Sequence, residues 1–174
     1  MQTVIVTGDT DTFQLINPDV RVLANRRKWG DTQLYDEAAV RERYGLEPSQ
    51  LIDYKALVGD TSDNVPGVKG IGEKTATLLL QQYGTLEAVY EHLDEITAKR
   101  ARAALEAERG IASLSKTLVT IRTDVPLDLT WEQCRTSGYD RAQVLALFLS
   151  TGLFLLLELL LLTCLLRLTL TWCR

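Results

Sequence analysis

The chain is poor in soft metal ligands. Its 174 residues hold three cysteines and one histidine. Cys134, Cys164 and Cys173 form no CxxC pair, and His92 stands alone in Tyr90-Glu91-His92-Leu93, so no clustered four-ligand zinc set exists. Any Ser-His or Cys-His nucleophile would have to use His92, which the surrounding pattern places on the surface of a helix. The cysteine usage suits a reducing compartment, and no secretory signal is visible, so a cytoplasmic location is expected. Positive charge is not in excess either: 19 Lys+Arg against 23 Asp+Glu give a formal net charge of -4. That excludes a broadly basic nucleic-acid coat but leaves room for a local basic patch. The hydrophobic content of 46% is that of a soluble globular chain long enough to bury a core without disulfides.

Residues 3–7, Thr-Val-Ile-Val-Thr, are β-branched throughout and predict a buried strand of a parallel sheet. Gly8-Asp9-Thr10-Asp11 ends it, and Phe13, Leu15 and Ile16 follow in a helical pattern. A second strand is expected over Val20–Leu23, then a helix over 36–44 stopped by Gly45. Further helices are expected at Leu51–Leu57 before Gly59, at Glu73–Tyr83 before Gly84, from the cap Thr85 to about Leu93, and over 97–108. Leu118–Ile121 suggests a third strand. From Gly152 to Cys173 leucine dominates, with only Glu158 and Arg167 charged. The length suits a membrane helix, but two charges near its middle are costly there. A buried helix of a larger protein and a shifted reading frame stand as alternatives.

Two pairs of carboxylates carry chemistry. Asp9 and Asp11 lie just past the first strand, at the edge where open α/β sheets bind ligands. Side by side with a glycine, they can turn toward one hard cation such as Mg²⁺. The plainer alternative is that Asp11 caps a helix starting at Thr12. In Gly59-Asp60-Thr61-Ser62-Asp63-Asn64, Asp60 and Asp63 would share a face on a helical turn, with capping or turn chemistry as the alternative. An EF-hand is excluded, because Val65 stands where the calcium loop needs glycine. Together the pairs suit a two-metal site, which activates water and steadies a leaving oxygen.

The sharpest local signal is Pro66-Gly67-Val68-Lys69-Gly70-Ile71-Gly72-Glu73-Lys74-Thr75-Ala76. Gly70 and Gly72 permit a tight turn, Ile71 can pack inward, and Lys69 and Lys74 add positive charge at the start of a helix, where free amides favour phosphate. A P-loop fails because Glu73 separates the last glycine from the lysine, and a dinucleotide fingerprint fails at Thr75. A helix-hairpin-helix gripping a nucleic-acid backbone remains, sequence-independent and salt-sensitive, beside the plain alternative of a glycine-rich turn.

Three blocks, Thr7-Gly8-Asp9-Thr10-Asp11 with Gln14-Leu15, the run from Tyr54 to Asn64, and Pro66 to Ala76, together resemble the 5′-nuclease domain of bacterial DNA polymerase I, a relative of the flap endonucleases. The resemblance spans about residues 2–149 and includes Ile121-Arg122-Thr123-Asp124-Val125-Pro126-Leu127. It implies an α/β fold: a partial PIN-like sheet with a helix-hairpin-helix region. The implied layout is nuclease core over 1–50, DNA-binding helices over 51–115, a return to the core over 116–149 and a hydrophobic tail over 150–174. It further implies a metal-dependent 5′-3′ exonuclease or flap endonuclease, with Asp9, Asp11, Asp60 and Asp63 as ligands for Mg²⁺ or Mn²⁺. Gly67, Val68, Lys69, Gly70, Ile71, Gly72, Lys74 and Thr75 would bind duplex DNA, with K⁺ held by hairpin carbonyls and a polymerase domain in the parent protein. The family domain begins upstream with an aspartate-bearing strand, an acidic cluster and a helical arch, whereas here Met1 abuts the matched strand. An incomplete domain of weak or absent activity is therefore expected, and a gene fragment with a downstream frameshift would account for both ends. A non-catalytic DNA-binding module is the alternative function. A membrane partner is not expected.

Overall fold

The computed structural model describes residues 2–25, 32–134 and 140–150. Three strands form a sheet in the order β1-β2-β3: β1 (Thr3–Val6), β2 (Val20–Asn25) and β3 (Thr32–Tyr35). β1 and β2 are parallel, with Thr3 opposite Val20 and Val6 opposite Leu23. β3 runs antiparallel to β2, with Val22 opposite Tyr35. The β-branched run thus forms a strand in a parallel pair, as its composition demands, but not a fully buried one: Val4 is 52% and Val6 74% exposed. Alternate residues of a strand point to opposite faces, and packing covers only the other face. There Phe13, Ile16, Val22, Tyr35, Val40 and Leu51 make a small core against which Ile5 leans. β3 is an addition to the expected strands. Its sequence, TQLY, is short and half polar, and it pairs because Tyr35 is drawn into that core.

Helices follow their punctuation closely. α1 (Glu37–Tyr44) is capped by the Asp36 carboxylate on the Ala39 amide at 2.9 Å and stopped by left-handed Gly45. α2 (Leu51–Val58) ends at Gly59, α3 (Glu73–Tyr83) at Gly84, and α4 (Leu86–Glu91) starts at the Thr85 cap. α5 (Lys99–Ala107) leads into α6 (Arg109–Val119). The expected strand at Leu118–Ile121 is instead the last turn of α6 and two extended residues. Ala112, Ser115 and Val119 recur at helical spacing on the buried face while Leu118 faces solvent. The extended residues find a side-chain partner in place of a sheet neighbour. Gln14 donates to the Val119 carbonyl and accepts from the Ile121 amide, both at 2.9 Å.

Leu57, Leu80, Val89, Leu105 and Ala112 are fully buried in the core among these helices. One buried ion pair crosses it. Asp53 on α2 is 5% exposed. It accepts from the Leu86 amide at the start of α4 and pairs with Lys116 on α6 at 2.7 Å. Lys116 also holds Glu87 at 2.8 Å.

The described residues divide into two units, one ending at Asp124 and one beginning at Val125. The second contains α7 (Arg141–Ser150). The leucine-rich run from Gly152 to Cys173 lies outside the described residues, among which no helix is long and apolar enough to cross a membrane.

Asp53→Ala strands the buried Leu86 amide and leaves the half-buried Lys116 ammonium with Glu87 alone, so it should cost about 2 kcal/mol of stability. Urea unfolding followed by circular dichroism measures this, and an unchanged midpoint would show the pair to be dispensable.

Candidate metal centre and nucleic-acid interface

β1 delivers the chain to a short 3₁₀ helix, Thr10–Leu15. Asp9, not Asp11, is its cap: the Asp9 carboxylate accepts from the Asp11 amide at 2.8 Å, and the Thr12 hydroxyl donates to the Asp9 carbonyl. This leaves the Asp11 side chain free to face α2. There it meets Lys55, whose ammonium donates to Asp11, to Asp60 at 2.8 Å and to Thr10 at 3.2 Å.

Asp60 and Asp63 sit on a tight turn rather than on helix. Asp60 and Val65 exchange backbone hydrogen bonds at 2.8 and 3.0 Å, with Asn64 left-handed between them. The turn still brings both acids to one side. Ligand oxygens of Asp11, Asp60 and Asp63 all lie within 4.8 Å of one another. Asp9 is exposed and is not one of this trio. The Lys55 and Ser62 hydrogen bonds hold the Asp60 carboxyl at a pKa of about 2. Burial alone would pull the Lys55 ammonium down, but its bonds to Asp11 and Asp60 outweigh that and raise it. Lys55 was not singled out in the sequence. The available signal was a lysine at the end of a largely apolar helix, one turn before an acid pair.

The hairpin is bound to the same turn. Gly59 (φ +83°) and Gly67 (φ +63°) bring their backbones so close that a Cβ on Gly67 would fall 2.3 Å from the Gly59 nitrogen. The Val68 amide donates to the Leu57 carbonyl at 2.8 Å, and the Gly67 amide to the buried Ser115 hydroxyl at 3.2 Å. The left-handed glycines of this segment are thus Gly59, Gly67 and Gly70, whereas Gly72 is extended and begins α3 without a side-chain cap.

The eight hairpin residues divide by burial. Gly67, Val68 and Ile71 are buried and hold the loop in place. Lys69, Gly70, Gly72 and Lys74 are exposed, and Thr75 is half-buried. Among the described residues neither Lys69 nor Lys74 forms an ion pair. A groove of about 990 Å³ runs from Asp60 to this helix start and is lined by Arg43, Tyr54, Lys55, Asp60, Glu73 and Lys74 among others. Such an arrangement can hold a hard cation on oxygen ligands and an anionic strand beside it. His92 is exposed and stacks on Tyr83, as a surface residue would.

Comparison with known proteins gives concordant results. The family described as 5′-3′ exonuclease, C-terminal SAM fold, matches residues 46–142. DNA polymerase I of Bacillus caldotenax is 45% identical over 154 residues, which is 88% of this chain and 18% of that protein. DNA polymerase I of Chloroflexus aurantiacus is 48% identical over 151 residues, 85% of this chain and 16% of that protein. The chain therefore spans less than a fifth of the length of these relatives. In fold it resembles the bacteriophage T5 5′-exonuclease with bound zinc ions, at a TM-score of 0.57 and 22% identity over 68% of this chain and 42% of that one. A T5 flap endonuclease complex with DNA and metal ions gives a TM-score of 0.58 at 20% identity, with the same coverage.

Gly67→Ala has no room for its methyl group and demands a left-handed alanine, so it should cost about 3 kcal/mol and loosen the hairpin. Hydrogen exchange at the Val68 and Asp60 amides measures the loosening. Retained protection at both would show that the backbones yield.

Proposed function

The chain belongs to the 5′-3′ exonuclease family, and on that premise we propose that it carries the portion of a DNA polymerase I-type 5′-nuclease that binds duplex DNA and contributes ligands for phosphodiester hydrolysis at 5′ ends or flaps. One observation carries the proposal: acids from two distant segments, Asp11 on one and Asp60 and Asp63 on the other, converge within 4.8 Å beside a glycine hairpin. Their all-oxygen donor set fits Mg²⁺ or Mn²⁺ and suits neither Cu⁺ nor a structural zinc. Divalent cations held there would supply charge neutralisation at the scissile phosphate and a water nucleophile at neutral pH.

The chain's own residues have separable parts. Asp11, Asp60 and Asp63 provide carboxylates, with Asp9 fixing the 3₁₀ turn that presents Asp11 and joining the ligand set if its cap opens. Lys55 relieves the repulsion between Asp11 and Asp60 until a stronger cation competes. The exposed amides of Gly70 and Gly72 with Lys69 and Lys74 take duplex phosphates, and hairpin carbonyls are the seat for K⁺. Gly67, Val68, Ile71 and Thr75 support that surface. A polymerase domain in the parent protein and a cytoplasmic location complete the proposal.

A second function is favoured by one observation. Lys55 already neutralises two of the three clustered acids, which suits a non-catalytic module that grips DNA through the hairpin alone.

A 5′-flap duplex with Mg²⁺ or Mn²⁺ separates the two. Cleavage that falls at least about a hundredfold in Asp63→Ala, with binding unchanged, supports the nuclease. Salt-sensitive binding with no turnover in any metal assigns the chain to the module.

A further inference from the structure

Most arginines in ion pairs here are paired by geometry close at hand. Arg41 pairs with Glu47, Arg102 with Glu106 and Asp94, and Arg122 with Asp124. Arg43, one residue from the end of α1, forms no ion pair among the described residues. Its guanidinium is held by aromatic rings instead. The central carbon lies 5.1 Å from the Tyr44 ring centroid, 5.5 Å from Tyr35 and 5.8 Å from Phe13. Nη1 donates to the Tyr35 hydroxyl at 2.9 Å. Phe13 and Tyr35 are themselves locked in the core, 4.5 Å apart between centroids. The side chain is nevertheless exposed, and it lines the groove that also contains Lys55, Asp60, Glu73 and Lys74. Lys55 and Asp60 satisfy each other, which leaves Arg43, Lys74 and Glu73 as the other charged groups of the lining.

We propose that Arg43 is a phosphate-binding residue of this groove, which takes a phosphodiester of the DNA strand running between the acid cluster and the hairpin. A guanidinium fork matches phosphate bidentately, and four of its five N–H donors are not spent on Tyr35. Its position is fixed by rings before any ligand arrives, so little side-chain freedom is lost on binding. Arg43 lies outside every motif by which the chain resembles its family, and nothing in its local sequence distinguishes it from Arg41 two residues earlier. The inference deepens the DNA-binding proposal and rests on it.

The test uses a fluorescein-labelled 5′-flap duplex and the full chain in EDTA, with affinity measured by anisotropy over a series of salt concentrations. Arg43→Met keeps the length and the ring contacts but loses the charge. It should weaken binding about tenfold and flatten the slope of log affinity against log salt by about 0.9. Arg43→Lys should keep the slope, and Arg41→Met should match the parent. Circular dichroism melts identify any change that comes from folding. If the parent binds with a clear salt slope and Arg43→Met leaves that slope intact, whether or not it lowers the melting temperature, Arg43 is only a structural clamp and the inference falls. If the parent binds no DNA, both this inference and the DNA-binding proposal fall.

Discussion

The contact on which the site depends is between two stretches of bare backbone. Gly67 lies against Val58 and Gly59 with no space for a side chain on either glycine, because a Cβ on Gly59 would fall 2.7 Å from the Val65 carbonyl oxygen. That approach folds the segment from Gly59 to Val68 back onto the end of α2. The Asp60–Val65 bridge closes it, and the Val68–Leu57 and Gly67–Ser115 bonds anchor it to two helices. The acid-bearing turn and the hairpin are therefore one mechanical piece. A phosphate held by the hairpin has a fixed position relative to Asp60 and Asp63, which a flexible linker between them would not provide.

Two lysine–carboxylate networks branch from α2, one at Asp53 and one at Lys55, and serve different ends. Asp53, Lys116 and Glu87 form one: it runs from the buried Asp53, 6% exposed, through Lys116 to the exposed Glu87, and it ties α2, α4 and α6 together. Lys55, Asp11 and Asp60 form the other, with side chains 14 to 18% exposed. A third acid, Asp63, stands beside them in the open. In the first network one ammonium meets two carboxylates, and the polar groups are spent on tying helices together. In the second there is one ammonium for three clustered carboxylates, an excess of negative charge that invites a further cation. The strongly lowered Asp60 carboxyl shows how firmly that acid is kept ionised.

Much of this was legible from sequence because punctuation is local. Gly45, Gly59 and Gly84 stop helices, and Thr85 caps one, by chemistry confined to a few neighbouring residues. The order of the acidic and glycine-rich blocks, together with their resemblance to a known family, pointed to four acids, Asp9, Asp11, Asp60 and Asp63, of which the fold brings the last three together. What escaped depended on distant partners. Leu118–Ile121 has strand-like composition, yet Ser115 is drawn inward by Gly67 and Gln14 holds the segment that follows, so a helix forms. Asp9 takes the cap that was the alternative role for Asp11, because the 3₁₀ helix starts at Thr10, two residues before Thr12. Gly72 has the spacing of a turn glycine, but the left-handed positions are Gly70, as expected of a turn glycine, and Gly67, whose conformation is tied to the neighbouring Gly59 backbone. Lys55 became visible only when the 3₁₀ helix and the Asp60 turn were placed on either side of it.

The net charge of -4 argues against a polyanionic partner only if charge is averaged over the chain. Most paired acids sit away from the groove: Glu47 on Arg41, Glu87 and Asp53 on Lys116, Asp94 and Glu106 on Arg102, Asp124 on Arg122. Fields of exposed charges fade over about 8 Å at physiological salt, so a strand lying in the groove responds to its immediate lining. There the positive groups are Arg43, Lys55 and Lys74, with Lys69 on the adjoining hairpin, and the negative ones are Asp60 and Glu73. Acidity becomes dominant only at the Asp11–Asp60–Asp63 cluster, which a divalent cation would neutralise. Positive groove and acid cluster meet at the Lys55–Asp60 pair, where a divalent cation would shift the balance toward attraction. Under the proposed function a metal at the cluster would therefore favour a polyanionic strand in the groove, a coupling hidden by a whole-chain count.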